Sequence, residues 1–253
     1  MKKHLSVFGL WVKCSFYKIA CLIAIMSIVE YMLFSISLKN EIKAYEITRN
    51  FSRPEFIFDR SGAFVCFGVA FIVITLLLSI YGCQFSCKTS YTLQRLRINE
   101  KYVFLYQGLY NLMVYVLLWF VQLLLCIFMM NNYIMQAPEE FWDTQSIFLA
   151  FYRSTRLHSI IPLSDGILWA RNVLLLVMLA LSSAEFPYLQ RRGKKSATVI
   201  ALSLYTVALW KQDIAPVASL VSTVFIAIAV FSSVAYQIFF KEDTGVESED
   251  NNY

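Results

Sequence analysis

The sequence predicts an all-α, polytopic membrane helix bundle, and three observations carry that prediction. Hydrophobic residues fill 58% of the 253 positions, above the roughly 45–50% of a soluble domain, and mean hydropathy is +0.59. Six apolar runs recur: Ile19 to Leu38, Ala63 to Tyr81, Val103 to Met130, Ile167 to Pro187, Ser196 to Trp210 and Ile214 to Phe240. None alternates in the manner of a transmembrane barrel strand, and backbone inside lipid must satisfy its own hydrogen bonds. The expected architecture is about six transmembrane helices in one domain over 19–240, with no separate soluble domain.

Each element follows from its residues. Before the first run, Leu5, Phe8, Val12 and Phe16 recur every three or four positions while Lys2 and Lys13 fall on another face. This predicts an amphipathic interfacial helix over 1–18, with Trp11 and Tyr17 at headgroup level. Lys13 and Lys18 interrupt the apolar core that a secretory signal would need, so the first run is expected to persist as a span. Glu30 stands midway along it. A charge at the bilayer centre costs at least ~3 kcal/mol, so Glu30 is expected to face the bundle interior and either pair, with Gln122 as the candidate, or bind a proton. A functional carboxylate and an interhelical anchor are both open readings.

The interval Ser86 to Lys101 reads SCKTSYTLQRLRINEK and separates the second and third runs within a loop over 83–101. Tyr91, Leu93, Leu96 and Ile98 predict a short helix carrying Arg95 and Arg97, a basic and apolar surface, and Asn99 with Glu100 offers a cap for the next helix. The longest connecting segment, 131–166, contains Ile147 to Leu163, too interrupted by Arg153, Arg156 and His158 to cross the membrane. It is expected to form an interfacial or re-entrant helix ending near Pro162. Arg153 and Arg156 share a helical face at a spacing of three. Together they could hold an anion, or both could rest on lipid phosphates.

The fourth run opens with Arg171 and Asn172 and closes with Glu185 and Pro187, charges close enough to an interface to snorkel. Arg171 joins Glu30 and Gln122 as an intramembrane polar candidate. The fifth run is short, since at ~1.5 Å per residue it falls below a ~30 Å hydrocarbon core unless Lys195 and Lys211 snorkel from its ends. The acidic stretch 241–253, with Glu242, Asp243, Glu247, Glu249 and Asp250, is expected to be disordered.

Lys and Arg in short loops orient a membrane chain, the excess lying in the cytoplasm. Lys2, Lys3, Lys13 and Lys18, then Lys88, Arg95, Arg97 and Lys101, then Arg191, Arg192, Lys194 and Lys195 fall on one side. Both termini are therefore expected to be cytoplasmic.

Chemistry-bearing motifs are few. The two histidines, His4 and His158, fall on opposite sides in this topology, and there is no His-Glu-x-x-His, paired-aspartate or Gly-x-Ser-x-Gly motif. Gly193-Lys194-Lys195 lacks the context of a phosphate-binding loop. Cys83 and Cys87 have neither zinc nor thioredoxin-like spacing. No enzyme activity, catalytic residue, metal, cofactor or nucleic-acid partner is expected.

The stretch Thr92 to Asn111, TLQRLRINEKYVFLYQGLYN, resembles the cytoplasmic coupling region of permease subunits in six-helix, exporter-like ABC transporters. That family carries a Thr-Leu-x-x-Leu segment, matched by Thr92, Leu93 and Leu96, then a polar turn and a charged start to the third helix, matched by Asn99, Glu100 and Lys101. Its amphipathic elbow helix resembles Leu5 to Phe16. Its re-entrant element usually lies between the fifth and sixth helices, whereas here the longest outer segment joins the third and fourth. The resemblance implies a bacterial plasma-membrane permease that couples a separate ATPase to export of a substrate, pairs with itself or a similar permease, and is driven at Tyr91, Leu93, Arg95, Leu96 and Arg97. The alternative is a non-transporting accessory, sensory or immunity protein bound to a membrane partner.

Overall fold

The computed structural model describes residues 2–80, 100–141, 145–163, 165–191, 194, 196–212 and 214–236. Among them the secondary structure is helical throughout: α1 (Lys2–Thr48), α2 (Pro54–Ser61), α3 (Ala63–Ile80), α4 (Glu100–Gln136), a 3-10 turn (Glu139–Phe141), α5 (Ser146–Arg153), α6 (Thr155–Ile160), α7 (Gly166–Arg191), α8 (Thr198–Lys211) and α9 (Pro216–Ala235). Local chemistry places several boundaries. Pro54 and Pro216 open α2 and α9, where the missing N–H has no helical partner to lose. Gly62, at φ 76°, ends α2 in the left-handed conformation that a side chain disfavours, so α3 starts at once in a new direction.

Five helices are long and apolar enough to cross a membrane: Ser15–Thr48, Ala63–Ile80, Lys101–Gln136, Gly166–Gln190 and Pro216–Ala235. The chain is a multi-pass helical membrane protein. Its first helix differs from the sequence expectation, because α1 runs unbroken for 47 residues and no boundary falls near residue 18. Gly9 is the weakest helix former at the start, and one glycine costs only about 1 kcal/mol. The apolar face of this segment is instead used in packing: Trp11 is buried at 2% exposure while Tyr17 is 82% exposed. Ser15 Oγ lies 2.6 Å from the Tyr110 hydroxyl on α4.

Side-chain pairs give each helix its direction. Ser15 with Tyr110 and Glu30 with Gln122 advance together, so α1 and α4 are parallel. Phe104 with Tyr188, Asn111 with Ser183 and Trp119 with Trp169 run in opposition, so α4 and α7 are antiparallel. Ser182 with Thr198 and Asn172 with Trp210 make α7 and α8 antiparallel. Arg171 with Ser219 and Glu185 with Ser233 make α7 and α9 parallel. The 14-residue α8 therefore runs opposite to α7 and α9, the helices before and after it in the chain. It packs on α3 where Gly68 leaves room, since a Cβ there would meet Val207 Cγ1 at 3.0 Å.

α7 is the central helix, 61% buried against 22% for α9, and touches α3, α4, α8 and α9. At the end where α1 and α4 finish, α2, the 3-10 turn, α5 and α6 form a cap. Phe51 and Phe141 each meet Tyr45 edge to face, and the Tyr133 hydroxyl donates to Ser52 O at 3.2 Å. This cap positions the polar cluster described next.

Candidate functional site

Arg171 sits on the second turn of α7, directly under the cap. The sequence places it near an interface where its side chain could snorkel; the structure instead turns it inward, 2% exposed. Its Nη2 donates to Ser159 O and Ser159 Oγ, both at 2.9 Å, and to Asn172 Oδ1 at 3.0 Å. Nε donates to the same Oδ1 at 3.2 Å, and Nη1 reaches Ser219 Oγ at 3.4 Å. The reason for the inward turn is the short helix α6. Its last carbonyls lack helical partners and carry the negative end of the helix dipole, and a guanidinium offers five fixed donors to meet them.

Asn172 completes the knot. Its Nδ2 donates to Ser159 O at 2.9 Å and Ile160 O at 3.1 Å, and its Oδ1 also accepts Trp210 Nε1 at 3.2 Å. Trp119 Nε1 donates to Ile160 O at 3.0 Å. Residues of α4, α6, α7, α8 and α9 thus converge on one buried hydrogen-bonded cluster. Beside it lies a cavity of about 200 Å³ whose walls include Arg153, His158, Arg171 and Gln212.

Arg153 and Arg156 do not share a face as the spacing suggests. The helix breaks at Ser154, whose Oγ accepts Leu157 N at 3.3 Å and caps a new helix, α6. Arg153 therefore ends α5 and lines the cavity with Arg171, whereas Arg156 points to α2. There its Nη1 donates to Asp59 O at 2.9 Å, stands 3.6 Å from Asp59 Oδ1, and its guanidinium lies 5.6 Å from the centre of the Phe64 ring. Burial pushes the Asp59 carboxyl above its ordinary value of 3.8; Arg156 opposes the rise and Glu55 adds to it. A carboxyl raised on folding contributes stability that is complete below its unfolded value and lost as pH climbs through the folded one. Asp59→Asn is accordingly expected to flatten the decline in melting temperature as pH rises from 3.8, and an unchanged pH profile would refute that role.

Deeper in the bundle, Glu30 and Gln122 are both fully buried, and Gln122 Nε2 donates to Glu30 Oε2 at 2.9 Å. Glu30 Oε1 and Gln122 Oε1 make no hydrogen bond. Removing Gln122 as leucine strips the carboxyl of its one side-chain donor, and leaving a buried polar group unmet costs about 1–3 kcal/mol. Glu30→Gln keeps an acceptor toward Nε2. In purified protein Gln122→Leu should melt several degrees below Glu30→Gln, and equal melting points would remove Glu30 as an interhelical anchor.

Tyr91, Leu93, Arg95, Leu96 and Arg97 lie outside the described residues. Among the described residues no group of three or more His, Cys, Asp or Glu side chains converges as metal ligands would. Sequence reasoning missed Asn172, Ser159 and Trp210 as members of the Arg171 cluster. The adjacent Arg-Asn pair at the start of an apolar run was the available signal, since two strongly polar side chains there demand buried partners. The fold and this cluster define a multi-pass helical membrane protein with a polar knot at one end of its bundle. No protein-family model, curated protein or solved structure matches the chain.

Proposed function

We propose that this chain is a membrane-spanning permease subunit of an ABC-type exporter, working with a separate ATPase and a second permease copy or a similar partner. In this reading α8 is the sixth crossing, snorkelling lysines extend its reach, and both termini are cytoplasmic in a bacterial plasma membrane. The observation that carries the proposal is the helix alternation. Because α1 and α4 rise while α3 and α7 descend, the basic N-terminal segment, the connection 81–99 and the residues after Arg191 attach to one end of the bundle. A positively charged end is the cytoplasmic end, and it is where the segment resembling an ATPase-coupling region belongs.

The mechanism is mechanical. α4 is a single 37-residue helix starting at Glu100, about 55 Å long at ~1.5 Å per residue, and packs on both α1 and α7. A push delivered by an ATPase dimer through Tyr91, Leu93, Arg95, Leu96 and Arg97 would travel along α4 as along a rod, shifting helices against one another. The test is co-purification of the tagged chain from mild detergent. A stoichiometric ATPase is expected, and charge reversal as Arg95→Glu with Arg97→Glu is expected to reduce its recovery at least tenfold with an unchanged melting point. Undiminished recovery of the ATPase from that variant would overturn the coupling role.

A second reading is a non-transporting subunit that binds a partner in the membrane. It is favoured by the engagement of Arg171, Asn172, Gln122 and Asn111 in bonds that hold helices together. Recovery of a membrane partner with no ATPase would decide for it.

A further inference from the structure

The geometry points to an oxyanion site in the cavity between α5, α6 and the start of α7, where Arg153, Arg171 and His158 would bind a phosphate group. This site lies where the cap meets the bundle and does not depend on the transport reading.

Charge is the first argument. Arg171 is always protonated and fully enclosed, yet among the described residues no carboxylate lies within 4.0 Å of its guanidinium. Its neighbours are neutral: Ser159 O and Oγ, Asn172 Oδ1 and Ser219 Oγ. Such acceptors satisfy N–H groups but bring no counter-charge into direct contact, and Asp165 attracts the guanidinium only from beyond 4.0 Å, a poor match for a cation in a low-dielectric interior. The donors are also incompletely used, since Nη1 has two N–H groups and a single acceptor at 3.4 Å.

Shape and chemistry are the second. The cavity of about 200 Å³ opens beside that guanidinium, which leaves room for a phosphate and waters of roughly 30 Å³ each. Arg153 and His158 stand on its other walls, with the hydroxyl-bearing Tyr152 and Thr155 and the amide of Gln212. His158 Nδ1 is buried without a hydrogen-bond partner. The described lining holds two guanidiniums and an imidazole and no acidic side chain. Arginine forks match phosphate oxygens in pairs. Arg156, the other cation of this loop, is already committed to Asp59. Asp165, on the nearby turn, accepts Ile167 N at 3.1 Å and attracts Arg171 from beyond 4.0 Å without lining the cavity. Asp213 lies outside the described residues, and the test below separates it from an external anion.

The phosphate could be free or belong to a lipid headgroup. The experiment uses the full chain in phosphatidylcholine nanodiscs, titrated with inorganic phosphate against chloride at matched ionic strength. Tryptophan fluorescence is the readout, because Trp210 is bonded to the residue that holds Arg171. A saturable change is expected, with apparent affinity at least tenfold weaker in Arg153→Gln and unaltered in Arg156→Gln. Arg153 is exposed, so its variant is expected to melt like wild type, which removes misfolding as an explanation. If free phosphate gives nothing but phosphatidylglycerol in the discs gives a response sensitive to Arg153→Gln, the anion is a headgroup phosphate. Absence of both responses overturns the site. So does a phosphate response that appears only in Asp165→Asn or Asp213→Asn, which would make the chain's own carboxylate the counter-ion.

Discussion

Asn172→Leu is expected to be the most damaging single substitution in the described bundle, lowering stability by about 3–5 kcal/mol. One amide accepts Arg171 Nε and Nη2 and Trp210 Nε1, and donates to the carbonyls of Ser159 and Ile160. Leucine has the same branching and is somewhat bulkier, so no cavity opens; loss of the hydrogen bonds is the main effect, with overpacking adding to it. It leaves a buried guanidinium with fewer acceptors and the end of α6 with fewer donors. Thermal melting of detergent-purified protein measures the loss, and a change equivalent to less than about 1 kcal/mol would show that the cluster is decorative. Asn172→Asp is the informative companion, because it keeps the acceptor and adds a counter-charge while removing the donor to Ser159 and Ile160. It should lie well above the leucine variant.

Trp210→Ala is expected to cost on the order of 3 kcal/mol, through a different cause. The indole is 1% exposed and packs on Phe67 and Phe71 with ring centres 5.6 and 5.1 Å apart. In a bilayer the alternative surroundings are also apolar, so lost packing dominates over transfer from water. The consequence is specific to α8. With 14 residues it is the shortest of the bundle helices, and Trp210 ties its end both to α3 and to the Arg171 cluster. Proteolysis between Thr198 and Lys211 should accelerate in Trp210→Ala and stay slow in Trp210→Phe; equal rates in the two variants would contradict the assignment. A double-mutant cycle between Trp210 and Asn172 should show coupling above about 0.5 kcal/mol, as expected for side chains in one network.

Hydropathy alone marks the long helices. Five of the six apolar runs correspond to helices of crossing length, because lipid admits little besides a self-bonded helix. The pairing of Glu30 with Gln122 was also within reach, since each is a lone strongly polar residue amid apolar neighbours and each needs a buried partner. The start of the chain is helical as its pattern requires, but joined to the first span in one helix. Its period of three to four residues shows that one face is apolar, but interfacial lipid and a neighbouring helix satisfy that face equally well. Here Phe8 and Ser15 meet Tyr110 of α4, and α1 continues as one helix to Thr48.

The loop arginines show the same limit at finer scale. A spacing of three puts Arg153 and Arg156 together only if one helix carries both, and Ser154 can sit within a helix or cap one. The structure uses it as a cap, and the two guanidiniums go to different partners, one to the cavity and one to Asp59.

Composition and apolar period by themselves determined that this is a multi-pass helical membrane protein, because burial in lipid is a property of each segment separately. Only the tertiary structure decided that Arg171 turns inward, that Asn172, Ser159 and Trp210 surround it, and that Arg153 rather than Arg156 faces the same cavity. Asn172 is adjacent in sequence, but Ser159 lies 12 positions and Ser219 48 positions from Arg171 on other helices. Their meeting depends on how α6, α7, α8 and α9 pack, which no local pattern encodes.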